Sequence, residues 1–136
     1  MIGVRVAKSI GVHDGGGRIL NSAGQVNEAE VFRKPARWVD YSGAVAQGGA
    51  EVVCAGITLM DHPSNPGHPT PFHVREDGWM GASLTLRGPL KILPGQPLRL
   101  RYGLWVHRGI PAVREVQPHW EAFSQMVLTS ISPDKK

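Results

Sequence analysis

A single cysteine, Cys54, excludes an internal disulfide framework, and its place in the apolar run Val52 to Leu59 marks it as a small buried hydrophobe. An apolar strand interior is the wrong setting for a reactive thiol, which needs an exposed, electropositive neighbourhood. No apolar run approaches the ~20 residues of a membrane span, and Met1-Ile2-Gly3-Val4-Arg5 lacks the apolar core of a secretory signal. A soluble, cytoplasmic chain without a membrane partner is therefore expected. No Gly-x-Ser-x-Gly occurs, so the sequence offers no serine nucleophile elbow. Gly15-Gly16-Gly17 is followed by neither Gly-Lys-Ser/Thr nor a helical pattern, so it is a turn and not a phosphate loop. The formal charge of +4 comes from Lys and Arg scattered along the chain, not gathered in a stripe, which argues against a nucleic-acid partner.

Among what is present, 17 glycines and 11 prolines in 136 residues favour many turns over long helices, on a length that suits one core. One domain over 1–131 with a polar tail at 132–136 is expected. Val4 to Lys8 alternates, His13 to Gly17 breaks the pattern and Arg18 to Leu20 resumes it, which predicts a hairpin. Arg37 to Val45 predicts a strand. Glu51 to Met60, nearly unbroken apolar and rich in β-branched residues, predicts a central strand covered on both faces. Trp79 to Arg87, Leu90 to Leu93 and Pro97 to His107 also read as strands, the last with Leu98, Leu100, Tyr102, Leu104 and Val106 on its apolar side. Only Ala112 to Met126 reads as a helix, with Val113, Val116, Trp120 and Phe123 spaced three and four apart and Pro118 as a weakness. The fold class expected is all-β, an antiparallel β-sandwich with one short C-terminal helix.

Chemistry concentrates in Asp61 to Arg75, DHPSNPGHPTPFHVR. Pro63, Pro66, Pro69 and Pro71 restrict the backbone and lower the entropy lost when side chains converge. Asp61 and His62 stand where the central strand ends, a common place for functional groups. The expected catalytic set is Asp61, His62, His73 and Arg75: His62 or His73 takes a proton, Asp61 fixes the imidazole tautomer, and Arg75 stabilises a developing oxyanion. His68 and His73, five apart, with Asp61 or Glu76 as a third ligand, form the expected site for a divalent metal ion. Trp38, Asp40 and Tyr41, with Asn65 and His107, form the expected substrate-binding set, since aromatic faces and carboxylates suit the faces and hydroxyls of a sugar ring.

GVRVA, GRILNSAG, KPARWVDYSG, DHPSNPGHPTPFHVR and LPGQPLRLRYGLWVH together resemble successive motifs of the bacterial PmoA-like family, a domain of unknown function, over nearly the whole chain. The resemblance is to the second half of that family. Its name derives from a membrane-embedded methane oxygenase subunit, and nothing here is long enough to support that activity. The resemblance implies a sandwich akin to the galactose-mutarotase type and a setting among sugar-processing genes. Together with the residues above, it leads to two expectations. One is a hydrolase acting on a lactone or modified sugar. The other is a non-catalytic carbohydrate-binding or interaction module, stacking sugars on Trp38, Tyr41, Trp79 and Trp105, or a half-sandwich completed as a homodimer.

Overall fold

The computed structural model describes residues 2–45 and 51–127. The tail expected at 132–136 lies outside them. Among the described residues seven strands form two antiparallel sheets. A small sheet has the order β1-β6-β5, from Ile2–Arg5 (β1), Trp79–Ala82 (β6) and Phe72–Val74 (β5). A larger one has the order β2-β3-β4-β7, from Arg18–Asn21 (β2), Trp38–Val45 (β3), Val53–Asp61 (β4) and Tyr102–Arg108 (β7). Two one-turn helices, Val12–Gly15 (α1) and Asn27–Val31 (α2), join the early strands, and Val113–Ser124 (α3) closes the chain.

The period of two along each strand sends alternate side chains into different layers. Ile19, Val39, Tyr41 and Leu59 leave one face of the large sheet and meet Phe72, Val74, Met80 and Ala82 of the small one. Leu20, Trp38 and Met60 leave the opposite face and meet Val116 and Phe123 of α3. The large sheet is thus the middle layer of three. β4, its most apolar strand, lies between β3 and β7, as a strand covered on both sides must. The all-β sandwich-like architecture with one short C-terminal helix is present.

Several local expectations are overturned. The stretches before and after the triple glycine do not pair as a hairpin: β1 belongs to the small sheet and β2 to the large one. The Trp79 strand ends at Ala82, and Leu90 to Leu93 and Pro97 to Arg101 form no strand. In β7 the apolar side is the wet one. Leu104 is 52% and Val106 73% exposed, while His107 between β4 and α3 is buried. Leu104 and Val106 pair with Leu59 and Ile57 and so share the face that elsewhere packs on the small sheet. That sheet has three strands to the large sheet's four, and its cover stops short of β7.

Pro118 is the sixth of the twelve residues of α3 and removes the backbone bond to the Arg114 carbonyl, yet the helix continues through it because Val116, Trp120 and Phe123 on either side are packed against the large sheet. The Glu115 carboxylate accepts the Ala112 N–H at 2.6 Å, which fixes the entry. In the middle layer, Gly56 sits between Ser42 and His107, and a Cβ there would fall 2.5 Å from both the Ser42 Cβ and the Tyr41 carbonyl. Gly56→Ala is expected to lose about 1–3 kcal/mol of stability through overpacking, read as a lower midpoint in urea. An unchanged midpoint would contradict this packing.

Candidate functional site

Asp61 is the last residue of β4, and its carboxylate is wholly buried. A buried carboxylate must collect donors, and the proline loop supplies them. Oδ1 accepts the Asn65 side-chain N–H at 2.7 Å, and Oδ2 accepts the Thr70 backbone N–H at 3.2 Å and lies 2.6 Å from His68 Nδ1. The loop curls around this one anion. Asn65 then ties the curl to the start of β7 by mimicking a peptide: its amide donates to the Arg101 carbonyl and its Oδ1 accepts the Arg101 N–H, both at 2.7 Å.

The carboxylate only accepts, so His68 Nδ1 donates to it, and whenever the ring carries a single hydrogen the lone pair is on Nε2. The His68 side chain is 14% exposed, so the dyad reaches the surface at this edge. Trp120 of α3 supports it from the side. The indole stacks near-parallel to the His68 ring at 5.9 Å, donates Nε1–H to the Asp61 carbonyl at 2.9 Å, and carries the Arg37 guanidinium 5.3 Å from its centroid. Arg37 is itself tied to Asp61, whose backbone N–H donates to the Arg37 carbonyl at 2.9 Å.

The remaining expected catalytic residues stand elsewhere. His62 Nδ1 accepts from the Ser64 N–H and hydroxyl, and its ring meets Phe123 edge-on. Its pKa is lowered, first by burial and then by the charges of Arg101 and His68, so it is a neutral packing group and not the imidazole that Asp61 orients. His73 lies between Phe72 and Val74 on β5. Since those two face the core, His73 points to the other side of the small sheet, against Phe32. Arg75 is half exposed, pairs with Glu28 at 3.3 Å and lies over Phe32. It lines a surface cavity of about 180 Å³ with His13, Glu28, Glu76 and Asp77, not the Asp61 site. Among the described residues no three His, Cys, Asp or Glu side chains are grouped to hold a metal ion. Asp61 and His68 meet, but His73 does not join them.

The expected substrate-binding set is structural. Trp38 is fully buried and donates its indole N–H to Gln117 of α3 at 2.9 Å. The Tyr41 hydroxyl donates to the Arg75 carbonyl and accepts the Val12 and Gly78 N–H groups, pinning α1 and the β5–β6 turn to the large sheet. Burial pushes its pKa up. Trp79 packs over Gly3 and Trp105 stacks on His119 at 3.7 Å. The buried Asp40 accepts from Ser42, from Thr58 and, at 2.5 Å, from His107 Nε2. His107 Nδ1 lies 3.1 Å from the Arg108 carbonyl, so both ring nitrogens face acceptors. Burial pulls the His107 pKa down, but the Asp40 hydrogen bond and charge, with that carbonyl, outweigh it and the value is raised. This second Asp-His pair has no free nitrogen and serves the fold.

A further cavity of about 410 Å³ opens between β7 and α3, lined chiefly by Met60, Trp105, His119, Phe123 and Met126. Phe123, which lines it, also meets the His62 ring edge-on, while Asp61, His68 and Trp120 do not line it. Among the described residues no helix is long and apolar enough to cross a membrane. Sequence reasoning missed Arg37 and Trp120 as members of the site. Trp120 had a signal in its place on the apolar stripe of α3, whereas nothing local to Arg37 marks it.

Comparison with known proteins places these elements in one family. The model of a family of unknown function, DUF6807, matches residues 1–121, and the chain belongs to that family. No curated protein and no solved structure matches it.

Proposed function

We propose that this DUF6807 chain is a hydrolase that performs general acid–base catalysis on a small polar ring, such as a lactone or modified sugar, with His68 as the proton carrier and Asp61 as its orienting partner. One observation carries the reading: a wholly buried carboxylate holds the Nδ1 of a partly exposed imidazole at 2.6 Å. Burial keeps the Asp61 dipole and charge undiluted by water, and the Asn65 and Thr70 bonds stop the carboxylate from rotating away. In hydrolysis of a lactone, His68 Nε2 takes a proton from water as the water oxygen bonds to the carbonyl carbon. Asp61 stabilises the imidazolium, which returns the proton to the ring oxygen as the acyl C–O bond breaks. The acid–base form of the chemistry is the one this side-chain geometry supports, because the third residue of the expected ligand set faces another layer.

The test is a screen of lactones and glycosides for turnover, followed by His68→Gln, which removes the base without touching the Asp61 backbone. Loss of a positioned general base is expected to lower turnover roughly 10²–10⁴-fold, and chelation of divalent ions is expected to leave it unchanged. Full activity in a folded His68→Gln protein would remove the proposal.

A second reading concerns assembly and rests on Leu104 and Val106, exposed on the core-facing side of an edge strand. Tyr102–Arg108 carries no Pro and no Lys, the usual guards of an open edge. A second copy, pairing β7 with β7 about a two-fold axis, would extend the large sheet, satisfy its open backbone edge and set Leu104 and Val106 against apolar cross-strand neighbours of the partner. Val106→Lys is expected to turn a dimer into a monomer in sedimentation velocity; a wild-type protein that sediments as a monomer at tens of micromolar would count against the pairing.

A further inference from the structure

We infer that the Asp61–His68 site binds a ligand carrying an anionic group, a carboxylate or a phosphate, and that Arg37 holds it. The inference rests on the reading of the dyad as the reactive centre and adds the ligand's charge. Arg37 lies with its guanidinium carbon over the Trp120 ring, the same ring on which His68 stacks. A guanidinium engaged through its face keeps its N–H donors in the plane, pointing away from the aromatic partner. Among the described residues no carboxylate pairs with Arg37, and its Nε is buried without a hydrogen-bond partner. With Nε buried and unpaired, the guanidinium has no partner among the described residues that offsets its charge, and its terminal N–H groups are the ones left to meet an incoming anion.

The surroundings favour an anion as well. Among the described residues the carboxylate bonded within the site is that of Asp61, and both its oxygens are already committed to Asn65, His68 and Thr70. Around it stand Arg37, Arg101 and, when protonated, His68; of these, Arg101 and His68 add to burial in lowering the His62 pKa, against the opposing charge of Asp61. A planar carboxylate fits the in-plane fork of Arg37 in two-point fashion, and a phosphate fits by charge and by its oxygens. A lactone or sugar bearing such a group would be held by Arg37 at the Trp120 ring that it shares with His68. A neutral ring would lack this anchor.

The measurement is the Arg37 Nε–H cross-peak in a nitrogen-15 correlation spectrum at low ionic strength, titrated separately with D-glucuronate, D-glucose 6-phosphate and D-glucose. The expected result is a saturable shift with at least one of the two anions, none with glucose, and binding about tenfold or more weaker in Arg37→Met. A shift with glucuronate alone assigns the carboxylate, with the sugar phosphate alone the phosphate, and with both the shared anion chemistry. No shift with either anion in the wild-type protein overturns the inference, whatever the variants do, and so does equal binding of glucose. If Arg37→Met loses its amide dispersion, Arg37→Lys replaces it and is expected to bind more weakly than wild type; undiminished binding in the folded variant also overturns the assignment. His68→Gln keeps Arg37 and is expected to keep anion binding while losing turnover. Anion binding with a fully active His68→Gln would remove the dyad reading alone, and an inactive His68→Gln with no anion binding would remove only this one.

Discussion

Asp40→Ala is expected to cost about 3–5 kcal/mol, a large part of the roughly 5–15 kcal/mol that holds an ordinary domain together. The carboxylate is wholly buried in the middle layer and is the shared acceptor for Ser42, Thr58 and His107. Its removal leaves three donors without a partner, one of them on a ring whose second nitrogen faces the Arg108 carbonyl. It also undoes the link between β3 and β7, which touch through side chains across β4. Urea unfolding monitored by far-ultraviolet circular dichroism reads the loss directly, and a cost under about 1 kcal/mol, ordinary for a neutral hydrogen bond, would contradict the ionic network.

The same pair sets a pH dependence whose sign follows from the direction of each shift. The His107 pKa lies above the ordinary 6.5, so from 6.5 upward the folded protein holds a proton that the unfolded chain has released. Its contribution is complete below 6.5 and is lost as pH rises through the raised value. His62 is lowered, so the unfolded chain takes up a proton as pH falls below 6.5 while the folded one refuses it. Its contribution is complete above 6.5 and is lost on the acid side. The two histidines together place a stability maximum near 6.5, each limb no steeper than about 1.4 kcal/mol per pH unit. His107→Gln is expected to flatten the alkaline limb and His62→Gln the acid limb; a limb that survives its own substitution would show that another group causes it.

Asp61→Asn carries the second large effect, and it acts on two levels. An amide at this position has one acceptor oxygen where the carboxylate has two: with that oxygen on Thr70 and His68 Nδ1 its NH2 opposes the Asn65 N–H, and it presents a weaker acceptor to His68 and no charge to stabilise an imidazolium. Turnover is expected to fall roughly 10²–10⁴-fold, as with loss of the base itself. Combining it with His68→Gln should add little, because two residues acting as one unit are not additive. An Asp61→Asn protein with wild-type turnover, or a double variant whose losses multiply, would contradict a dyad. Asp61→Ala goes further, because the loop then has no anion to curl around and Asn65 loses one of the bonds that position it against Arg101.

Much of the middle layer is legible in the sequence. β3 and β4 stand within two residues of where bulk and unbroken apolarity place them, and the Val113, Val116, Trp120 and Phe123 stripe yields α3 because its partners lie across a single interface. Asp61 is legible too, as the polar residue on which a buried strand ends. Which histidine Asp61 takes is not, since that depends on the curl of the loop and on Asn65 reaching Arg101, a partner 36 positions away in sequence. His73 was better read by its neighbours: between Phe72 and Val74, strand alternation alone turns it from the core. Alternation misled at Leu104 and Val106, where the apolar side faces water because the smaller sheet stops short, a fact of the partner sheet's width and not of β7. The pairing of β1 with β6 spans most of the chain and leaves no local trace.

The most direct measurement is the tautomer of His68, read from its ring nitrogen-15 shifts and their couplings to carbon-bound ring protons. The expected result for the ring carrying one hydrogen is that hydrogen on Nδ1, displaced far downfield by the Asp61 carboxylate and moved back in Asp61→Asn, and a bare Nε2. A ring with its hydrogen on Nε2, or Nδ1 shifts indifferent to Asp61→Asn, would contradict it.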